Sequence, residues 1–318
     1  MTKIKLGILF GGTSNEKEVS VLSKKNVMEH LNESKYLINE IFIDADGSWI
    51  YELHLNKPDI VLNLLHGGNG ENGGVQGLLE CFNIPYIGSK ILASSLAMNK
   101  KVSKEIFEMN KIPVVDGVFI EKQFPEDIIN YESQFEDIGY PLVIKPNNGG
   151  SSIGVHIAEN YEELDNAVKN IIALNDDILI EKYISGREVA CGVVENKNGI
   201  EVLTVLDIGT TNKFYDYTAK YKDDNTKIEF SSLPDYLQDM IKGIARKSFL
   251  ALNCEGFGRV DMIVDNEQVY VLEMNTLPGL TKTSLIPTGL ALSDRSFSKF
   301  LDELIEFELK TEISTYKS

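Results

Sequence analysis

The chain has 318 residues, 43% of them hydrophobic, and a formal net charge of −17 at pH 7. Its length is sufficient for two or three domains, and its charge argues against nucleic acid or an anionic membrane as a partner. No apolar run approaches the ~20 residues that a membrane-spanning helix needs, and the cysteines and histidines lack disulfide or zinc-site spacing, so we expect a reduced, cytoplasmic protein.

The first third of the chain alternates strands and helices. Strands are predicted at residues 5–10, 38–44, 60–65 and 86–87, and helices at residues 18–31 and 75–82. This alternation is typical of an α/β domain with a parallel, Rossmann-like sheet, which we assign to residues 1–94. Ligands of such sheets bind at the carboxyl ends of the strands, where Gly11-Gly12 and His66-Gly67 fall.

Residues 95–185 differ in character. A helix through Lys100 and Lys104 precedes predicted strands at 114–120, 142–145, 153–157 and 178–183 and a helix at 161–174, which indicates a compact α+β unit. The loop Gly149-Gly150-Ser151-Ser152 offers backbone N–H groups and hydroxyls to an anion, although no Walker motif follows it. Lys145 ends a buried strand and needs an anionic partner. Lys145 therefore favours a phosphate site over an ordinary glycine-rich turn. Lys100 is a candidate second cation, and its alternative is a solvated lysine on a helix.

The last unit, residues 186–318, follows a predicted hinge at Ser185-Gly186. Its predicted elements are a hairpin with strands at 188–194 and 201–208, a mobile polar loop at 214–230, a long helix at 234–252, a second hairpin, and an amphipathic helix with Phe297, Phe300, Leu301 and Leu304 on one side. We expect a second α+β domain.

The second hairpin carries the strongest chemical signal. On the strand at 259–264, Arg259 and Asp261 share one face, and on the strand at 269–275, Glu273 and Asn275 share one face. A turn at 265–267 would bring Asp261 level with Glu273. Buried carboxylates this close need a neutralising cation, and ligands that are all oxygens suit Mg²⁺ rather than zinc. The alternative is a solvated acidic hairpin.

Two further sets of residues are candidate ligand contacts. Glu181, near the end of an apolar strand, and Glu188, just past the hinge, offer acceptors for an adenine amino group and ribose hydroxyls, although surface glutamates would look the same. The loop from Gly11 to Glu16 precedes a helix and is suited to a small ligand. A dinucleotide loop is its rival, but Gly-x-Gly-x-x-Gly is absent.

In their order along the chain, these motifs resemble the D-alanine–D-alanine ligases of the ATP-grasp superfamily. The resemblance implies a three-domain ATP-grasp fold that holds ATP between its second and third domains. It covers nearly the whole chain and rests on Gly11-Gly12-Thr13-Ser14 with Glu16 and Glu18-Val19-Ser20, His66-Gly67 with Gly70-Glu71, Ile84-Pro85-Tyr86, Leu96-Ala97-Met98-Asn99-Lys100, Lys145-Pro146 to Gly154, Ile180-Glu181-Lys182, Phe214-Tyr215-Asp216-Tyr217 to Lys220-Tyr221, Gly258-Arg259-Val260-Asp261, and Leu272-Glu273-Met274-Asn275-Thr276 to Ser284-Leu285.

The resemblance also implies roles for individual residues. ATP would contact Lys100, Lys145, Gly150, Ser151, Ser152, Glu181, Lys182, Tyr183, Glu188, Phe214, Lys220 and Leu272. Two Mg²⁺ ions, or Mn²⁺ in their place, would be bound by Asp261, Glu273 and Asn275. The D-alanine substrates would contact Glu16, His66, Arg259, Gly279, Ser284 and Leu285. Catalysis and closure of the site would involve Glu16, Ser151, Tyr221, Arg259 and Gly279.

The implied protein is a homodimeric carboxylate–amine ligase that makes D-alanyl-D-alanine for peptidoglycan precursors. The carboxylate of one D-alanine would take the γ-phosphoryl group of ATP, and the amine of a second D-alanine would attack the acyl phosphate. Because an acyl phosphate hydrolyses in water, such a site has to close.

Three positions depart from the residues that are usual in this family. Asn72 and Asn99 stand where aspartate is usual, and Thr204 where proline is common. None is a predicted metal ligand, so the departures bear on rate or conformation rather than on reaction type. The Lys220-Tyr221 motif favours a dipeptide over a depsipeptide product. Two alternatives stay open: a D-alanine–D-serine ligase, and a nucleotide-binding regulator without activity.

Overall fold

Three β-sheets organise the molecule. The computed structural model describes residues 3–123, 138–209 and 227–315, and one sheet lies in each third of the chain. The mixture of one parallel and two antiparallel sheets confirms the expected combination of α/β and α+β architecture. Within those residue ranges, no helix is long and apolar enough to cross a membrane.

The first sheet is parallel and has the strand order β2-β1-β3. Its segment beyond β3 contributes a single bridge between Val61 and Tyr86 instead of the strand predicted at 86–87. Helix α2, at residues 48–55, is not among the predicted elements. The elements are β1 (Ile4–Gly11), α1 (Lys17–His30), β2 (Tyr36–Ile43), α2 (Ser48–Leu55), β3 (Ile60–Asn63) and α3 (Gly74–Cys81).

The helix predicted through Lys100 and Lys104 is α5 (Lys100–Met109), and a separate helix, α4 (Ile91–Met98), precedes it. The break falls at Asn99, whose side-chain oxygen accepts a hydrogen bond of 3.0 Å from the backbone N–H of Val102. Asparagine and aspartate are both favoured in this capping position. Asn99 therefore preserves the local structure that the family's usual aspartate would support.

The second sheet is antiparallel and has the strand order β4-β7-β5-β6. Helix α6 packs on it through Leu164, Val168 and Ile171. The predicted strand at 153–157 is displaced to residues 156–158, because Ser151 and Ser152 have positive φ angles and form turns. The elements are β4 (Gly117–Ile120), β5 (Leu142–Pro146), β6 (His156–Ala158), α6 (Tyr161–Ala173) and β7 (Ile178–Lys182).

The third sheet is antiparallel and has the strand order β10-β9-β8-β11-β12. Its strand β10 occupies residues 227–230, which were predicted to be part of the polar loop at 214–230; residues 214–226 of that loop lie outside the described residues. The elements are β8 (Arg187–Asn196), β9 (Gly199–Gly209), β10 (Lys227–Phe230), α7 (Asp235–Ala251), β11 (Phe257–Asp265), β12 (Gln268–Asn275), α8 (Leu285–Leu292) and α9 (Phe297–Thr315).

The last helix, α9, joins the first and third sheets. Its Phe300 and Leu304, which lie on the predicted apolar face, share a buried core with Leu6 of β1 and Phe257 of β11. The removal of such side chains from water is the main source of stability in a folded chain. Helix α9 therefore holds the first and third sheets together, in addition to the chain segments that connect the two sheets in sequence.

A glycine pair forms a second contact between these sheets. Gly256 has a φ of +68°, and a Cβ atom at this position would lie 2.8 Å from the Cα of Gly88. We expect Gly256→Ala to lower the free energy of unfolding by about 2–4 kcal/mol, of which about 1 comes from the left-handed backbone and the rest from overpacking against immobile backbone atoms. Urea denaturation measures this loss.

The matched control for this prediction is Gly47→Ala. Gly47 has a φ of +75°, but no atom lies within 4 Å of a Cβ there. This variant should lose only the backbone part, about 1 kcal/mol. Equal losses in the two variants would show that the contact with Gly88 does not limit stability.

Candidate active site

The acidic hairpin forms as predicted. Strands β11 and β12 pair with Asp261 opposite Glu273 and Arg259 opposite Asn275, and the turn lies between Asp265 and Gln268. The Arg259 guanidinium donates hydrogen bonds of 2.6 and 2.7 Å to the two oxygens of Asp261. Both side chains are mostly buried, so little water solvates the Asp261 carboxylate. The positive charge of Arg259 compensates its negative charge instead.

Glu273, on β12, faces a cation from helix α5. Its carboxylate lies 3.6 Å from the ammonium of Lys100, which also donates a hydrogen bond to the Gly149 carbonyl. The start of α5 is fixed here, because the backbone N–H of Lys100 donates to Asn147, in the segment after β5, at 3.1 Å. Lys100 is therefore a buried residue that links the glycine-rich loop to the acidic hairpin, and the solvated-lysine alternative is wrong.

Two lysines share one buried carboxylate on the second sheet. Lys104 and Lys145 each contact a different oxygen of Glu181. Burial by itself would raise the pKa of Glu181, but the charges of Lys145 and Lys104 outweigh it and lower the pKa. The carboxylate predicted to accept a hydrogen bond from adenine is thus already paired on both oxygens.

A cavity between the second and third sheets contains most of the predicted nucleotide contacts. Three of the predicted contacts are exceptions. Ser151 lines an adjoining cavity, and Phe214 and Lys220 lie outside the described residues. The predicted contacts that line the cavity are Lys100, Lys145, Gly150, Ser152, Glu181, Lys182, Tyr183, Glu188 and Leu272.

The adjoining cavity is smaller and mostly polar. It contains the predicted substrate residues Glu16, His66, Arg259 and Gly279, together with Ser151. Two predicted residues do not line it: the Ser284 hydroxyl accepts a hydrogen bond of 3.1 Å from the backbone N–H of Thr281, and Leu285 packs against the third sheet. Tyr221 lies outside the described residues.

Glu16 is the acidic centre of the smaller cavity. It immediately precedes α1 without capping that helix through its side chain, and its carboxylate accepts a hydrogen bond from the Ser151 hydroxyl. Gly67 makes room for it, since a Cβ at Gly67 would lie 2.5 Å from a Glu16 oxygen. A buried carboxylate that faces a small polar cavity is suited to bind an ammonium group.

Two neighbours of Glu16 have shifted pKa values. Burial, with the nearby charge of Glu16, raises the pKa of Glu71 to about 7, although its carboxylate accepts a 3.0 Å hydrogen bond from the Gly67 N–H. Burial lowers the pKa of His66 to about 4, against the effect of its hydrogen bond with the Leu277 backbone. His66 is therefore neutral at pH 7 and supplies no cation to the site.

The sequence analysis assigned no role to Glu71, although it is part of a motif that carried the family resemblance. Its position in a loop between a strand and a helix gives no indication of burial. The proximity of Glu71 to Glu16 depends on the approach of two loops that are far apart in the sequence.

Helix α1 also supports the segment that follows β12. The side-chain amide of Asn26 donates a 2.8 Å hydrogen bond to the Leu280 carbonyl, and the Leu280 N–H donates a 3.1 Å hydrogen bond to the Ser23 hydroxyl. All three residues are buried. The helix that follows Glu16 thus holds the residue next to Gly279, which fixes two distant parts of the smaller cavity relative to each other.

The acidic hairpin has the donor chemistry for a divalent cation. Asp261, Glu273 and Asn275 offer oxygens on adjacent strands, which is the ligand type that Mg²⁺ prefers. The Asn275 amide donates its N–H to Asp261 at 3.1 Å, so it would have to turn for its oxygen to face the ion. No cluster of three or more histidine, cysteine or acidic side chains suited to a metal occurs in the described ranges.

An antiparallel sheet on each side of a lysine-lined cavity, with an acidic hairpin at its end, defines this protein as a member of the ATP-grasp class. The model of the D-ala D-ala ligase N-terminus matches residues 5–58 and 52–89, and that of the D-ala D-ala ligase C-terminus matches residues 106–306. Together they span most of the chain. The chain belongs to the D-alanine–D-alanine ligase family.

Individual relatives agree with this assignment. The D-alanine–D-alanine ligase of Clostridium beijerinckii is 38% identical over 311 residues, which cover 96% of this chain and 99% of that protein. The structure of D-alanine–D-alanine ligase from Bacillus anthracis complexed with ATP is 32% identical, with a TM-score of 0.85 and coverage of 98% and 99%. The VanG D-Ala:D-Ser ligase from Enterococcus faecalis is 29% identical, with a TM-score of 0.82 and coverage of 96% and 100%.

The raised pKa of Glu71 leads to a prediction about stability. Because its folded pKa is about 7 and its ordinary value is 4.5, the folded protein keeps a proton that the unfolded chain releases between these pH values. The contribution of Glu71 to stability is therefore lost as the pH rises through this window. Glu71→Gln keeps an acceptor for the Gly67 N–H and cannot ionise.

We expect Glu71→Gln to match the wild type at pH 5 and to have a free energy of unfolding roughly 1–2 kcal/mol higher at pH 8. Urea denaturation of both proteins at the two pH values measures the change. The other titrating groups contribute equally to the unfolding free energies of both proteins, so their contributions cancel in the difference. A difference between the proteins that does not vary with pH would contradict the raised pKa of Glu71.

Proposed function

We propose that this protein is an ATP-dependent ligase that joins two D-alanine molecules into D-alanyl-D-alanine for peptidoglycan precursors. The observation that carries the proposal is the meeting of the two cavities. Lys100, Gly149, Gly150 and Glu273 line both of them. A phosphoryl group held by these residues would lie between a nucleotide on one side and a small amino acid on the other.

The larger cavity is proposed to hold ATP. Lys100, Lys145 and the N–H groups of the 149–154 loop would bind its phosphates, since cations and exposed backbone amides suit an anion inside a protein. Tyr183, Glu188 and Leu272 would surround the adenosine. Phe214 and Lys220, which lie outside the described residues, complete this proposed set.

Asp261, Glu273 and Asn275 are proposed to hold two Mg²⁺ ions, which Mn²⁺ can replace. The bound ions would screen the phosphate charges against an incoming carboxylate. The protein contributes the fixed carboxylates on β11 and β12, and Arg259 and Lys100 keep these side chains in position.

The smaller cavity is proposed to hold the first D-alanine. Glu16 would bind its ammonium, and Ser151 and Tyr221 would connect that carboxylate to the loop at 149–154 and to the lid. The carboxylate of D-alanine would then face Lys100 at the junction of the cavities. Its oxygen would take the γ-phosphoryl group, and ADP would leave with the electron pair of the broken P–O bond.

The second D-alanine is proposed to enter beside Arg259. Its amine would attack the carbonyl carbon of the acyl phosphate, and the oxyanion that forms would be stabilised by Arg259 and the Gly279 N–H. Phosphate would leave as the peptide bond forms and the attacking amine loses its proton. His66 is neutral and fixed by Leu277, so its proposed part is to shape the cavity. Ser284 and Leu285, just outside the cavity, would complete the acceptor end.

The proposed domains are residues 1–94, 95–185 and 186–318. Of the predicted mobile loop at 214–230, residues 227–230 form β10, and the proposed lid consists of residues 214–226, which lie outside the described residues. The proposal also includes a homodimer located in the cytoplasm. Exclusion of water by the lid would protect the acyl phosphate from hydrolysis.

A D-alanine–D-serine ligase is the second candidate, because the chain has the same fold as VanG over nearly its whole length. A single additional hydroxyl on the acceptor is hard for a pocket to exclude. Acceptor selectivity therefore has to be measured.

The first test measures phosphate release and product from Mg-ATP with D-alanine, L-alanine, or D-alanine plus D-serine or D-lactate. We expect one phosphate per D-alanyl-D-alanine, little release with L-alanine, and no depsipeptide with D-lactate. ATP binding without phosphate release that depends on D-alanine would refute the ligase and support a regulator. D-alanyl-D-serine as the main product would support the second candidate.

The second test is Glu273→Ala. Because Glu273 is a proposed metal ligand on a partly exposed face, we expect kcat to fall at least 1,000-fold, about 4 kcal/mol in transition-state stabilisation, while Tm changes by only a few degrees. Glu267→Ala, an exposed glutamate in the turn of the same hairpin, is the control and should keep full activity. A large drop in Tm would instead indicate that Glu273 is a structural carboxylate.

A further inference from the structure

We propose that Lys104 is a positioning residue of the nucleotide site: it balances the charge of Glu181, so that the ammonium of Lys145 stays available for a phosphate. This inference rests on the proposed ATP site. It concerns a lysine that does not line the cavity and for which the family resemblance implied no role.

The contacts of Lys104 are those of a buried structural cation. Its ammonium contacts one oxygen of Glu181 and donates a 2.5 Å hydrogen bond to the Val115 carbonyl. Its side chain is only 10% exposed. Such a cation is stable only where acceptors surround it, so Lys104 has a fixed place between α5 and the second sheet.

Glu181 cannot move away from the two lysines. It lies on β7, between β4 and β5, opposite Gly117 on one side and Val143 on the other. Gly117 leaves just enough room for it, since a Cβ at Gly117 would lie 3.0 Å from the Glu181 Cγ atom and 2.5 Å from the Ile180 carbonyl oxygen. The position of the carboxylate is therefore set by the strands, and the lysines adapt to it.

The charge balance of this cluster explains why two lysines are needed. One carboxylate between two ammonium groups leaves an excess of one positive charge, and only Lys145 and Glu181 of the three line the cavity. Glu108 also acts on Lys104 but lies at the surface, where water screens it. If Lys104 lost its charge, Glu181 would pair with Lys145 alone, and this cluster would no longer add a net positive charge to that of Lys100, which also lines the cavity.

The test compares the binding of ATP with that of adenosine, both without Mg²⁺, by isothermal titration calorimetry. We expect Lys104→Met to weaken ATP binding at least tenfold and adenosine binding by less than threefold, because only the phosphates sense the lost charge. Lys104→Arg should restore most of the ATP affinity. The control is Lys101→Met on the same helix, whose ammonium lies over the Phe119 ring and not at Glu181; it should change neither affinity.

A second pair of variants separates the charge effect from packing. In a Glu181→Gln background no carboxylate competes for Lys145, so adding Lys104→Met there should leave ATP affinity within about twofold. If Lys104→Met alone does not fold, the comparison of Glu181→Gln with the Glu181→Gln/Lys104→Met double variant still tests the proposal. Equal loss of ATP and adenosine binding, or the same tenfold loss in the Glu181→Gln background, would overturn the proposal. The readout is binding, so a wild type that binds ATP without ligating D-alanine would refute the proposed function and leave this test intact.

Discussion

Matching of buried charges is the constraint that organises this site. Arg259 holds both oxygens of Asp261, and Lys100 of helix α5 lies near Glu273 of β12. A buried carboxylate without a partner costs several kcal/mol, so the strands that carry these residues are acceptable only if their cations are brought to them. The same contacts that make the interior stable also concentrate positive charge where the two cavities meet, which is the place that a phosphoryl group requires.

Two helices that connect distant parts of the fold also serve the site. Helix α1 follows Glu16 and, through Ser23 and Asn26, holds both backbone groups of Leu280. Helix α9 packs between the first and third sheets. The proposed donor end and acceptor end are thus attached to one rigid helix, and their separation does not depend on flexible loops. This arrangement suits a reaction in which two substrates must meet within a short distance.

Local patterns predicted the parts of the structure that depend on neighbours in sequence. The acidic hairpin and its register followed from strand alternation and a short turn, because both are properties of adjacent residues. The division into one parallel and two antiparallel units followed from the spacing of apolar runs. The helix predicted through Lys100 and Lys104 is also confirmed, with Asn99 as its N-cap. One strand prediction failed because of a backbone conformation: left-handed residues at Ser151 and Ser152 shift the start of the predicted strand at 153–157 to residue 156.

The sequence by itself determined which side chains carry the chemistry and in what order they occur, since alternation and turn residues act over a few positions. Only the tertiary structure decided how their charges are paired. Glu181, predicted as a hydrogen-bond acceptor for adenine, is also shared by two lysines, while Glu71 and Lys104 acquired their places when distant loops, strands and helices met. Burial and electrostatic neighbours are properties of the packed chain, and no local pattern specifies which distant cation or carboxylate will lie within contact distance.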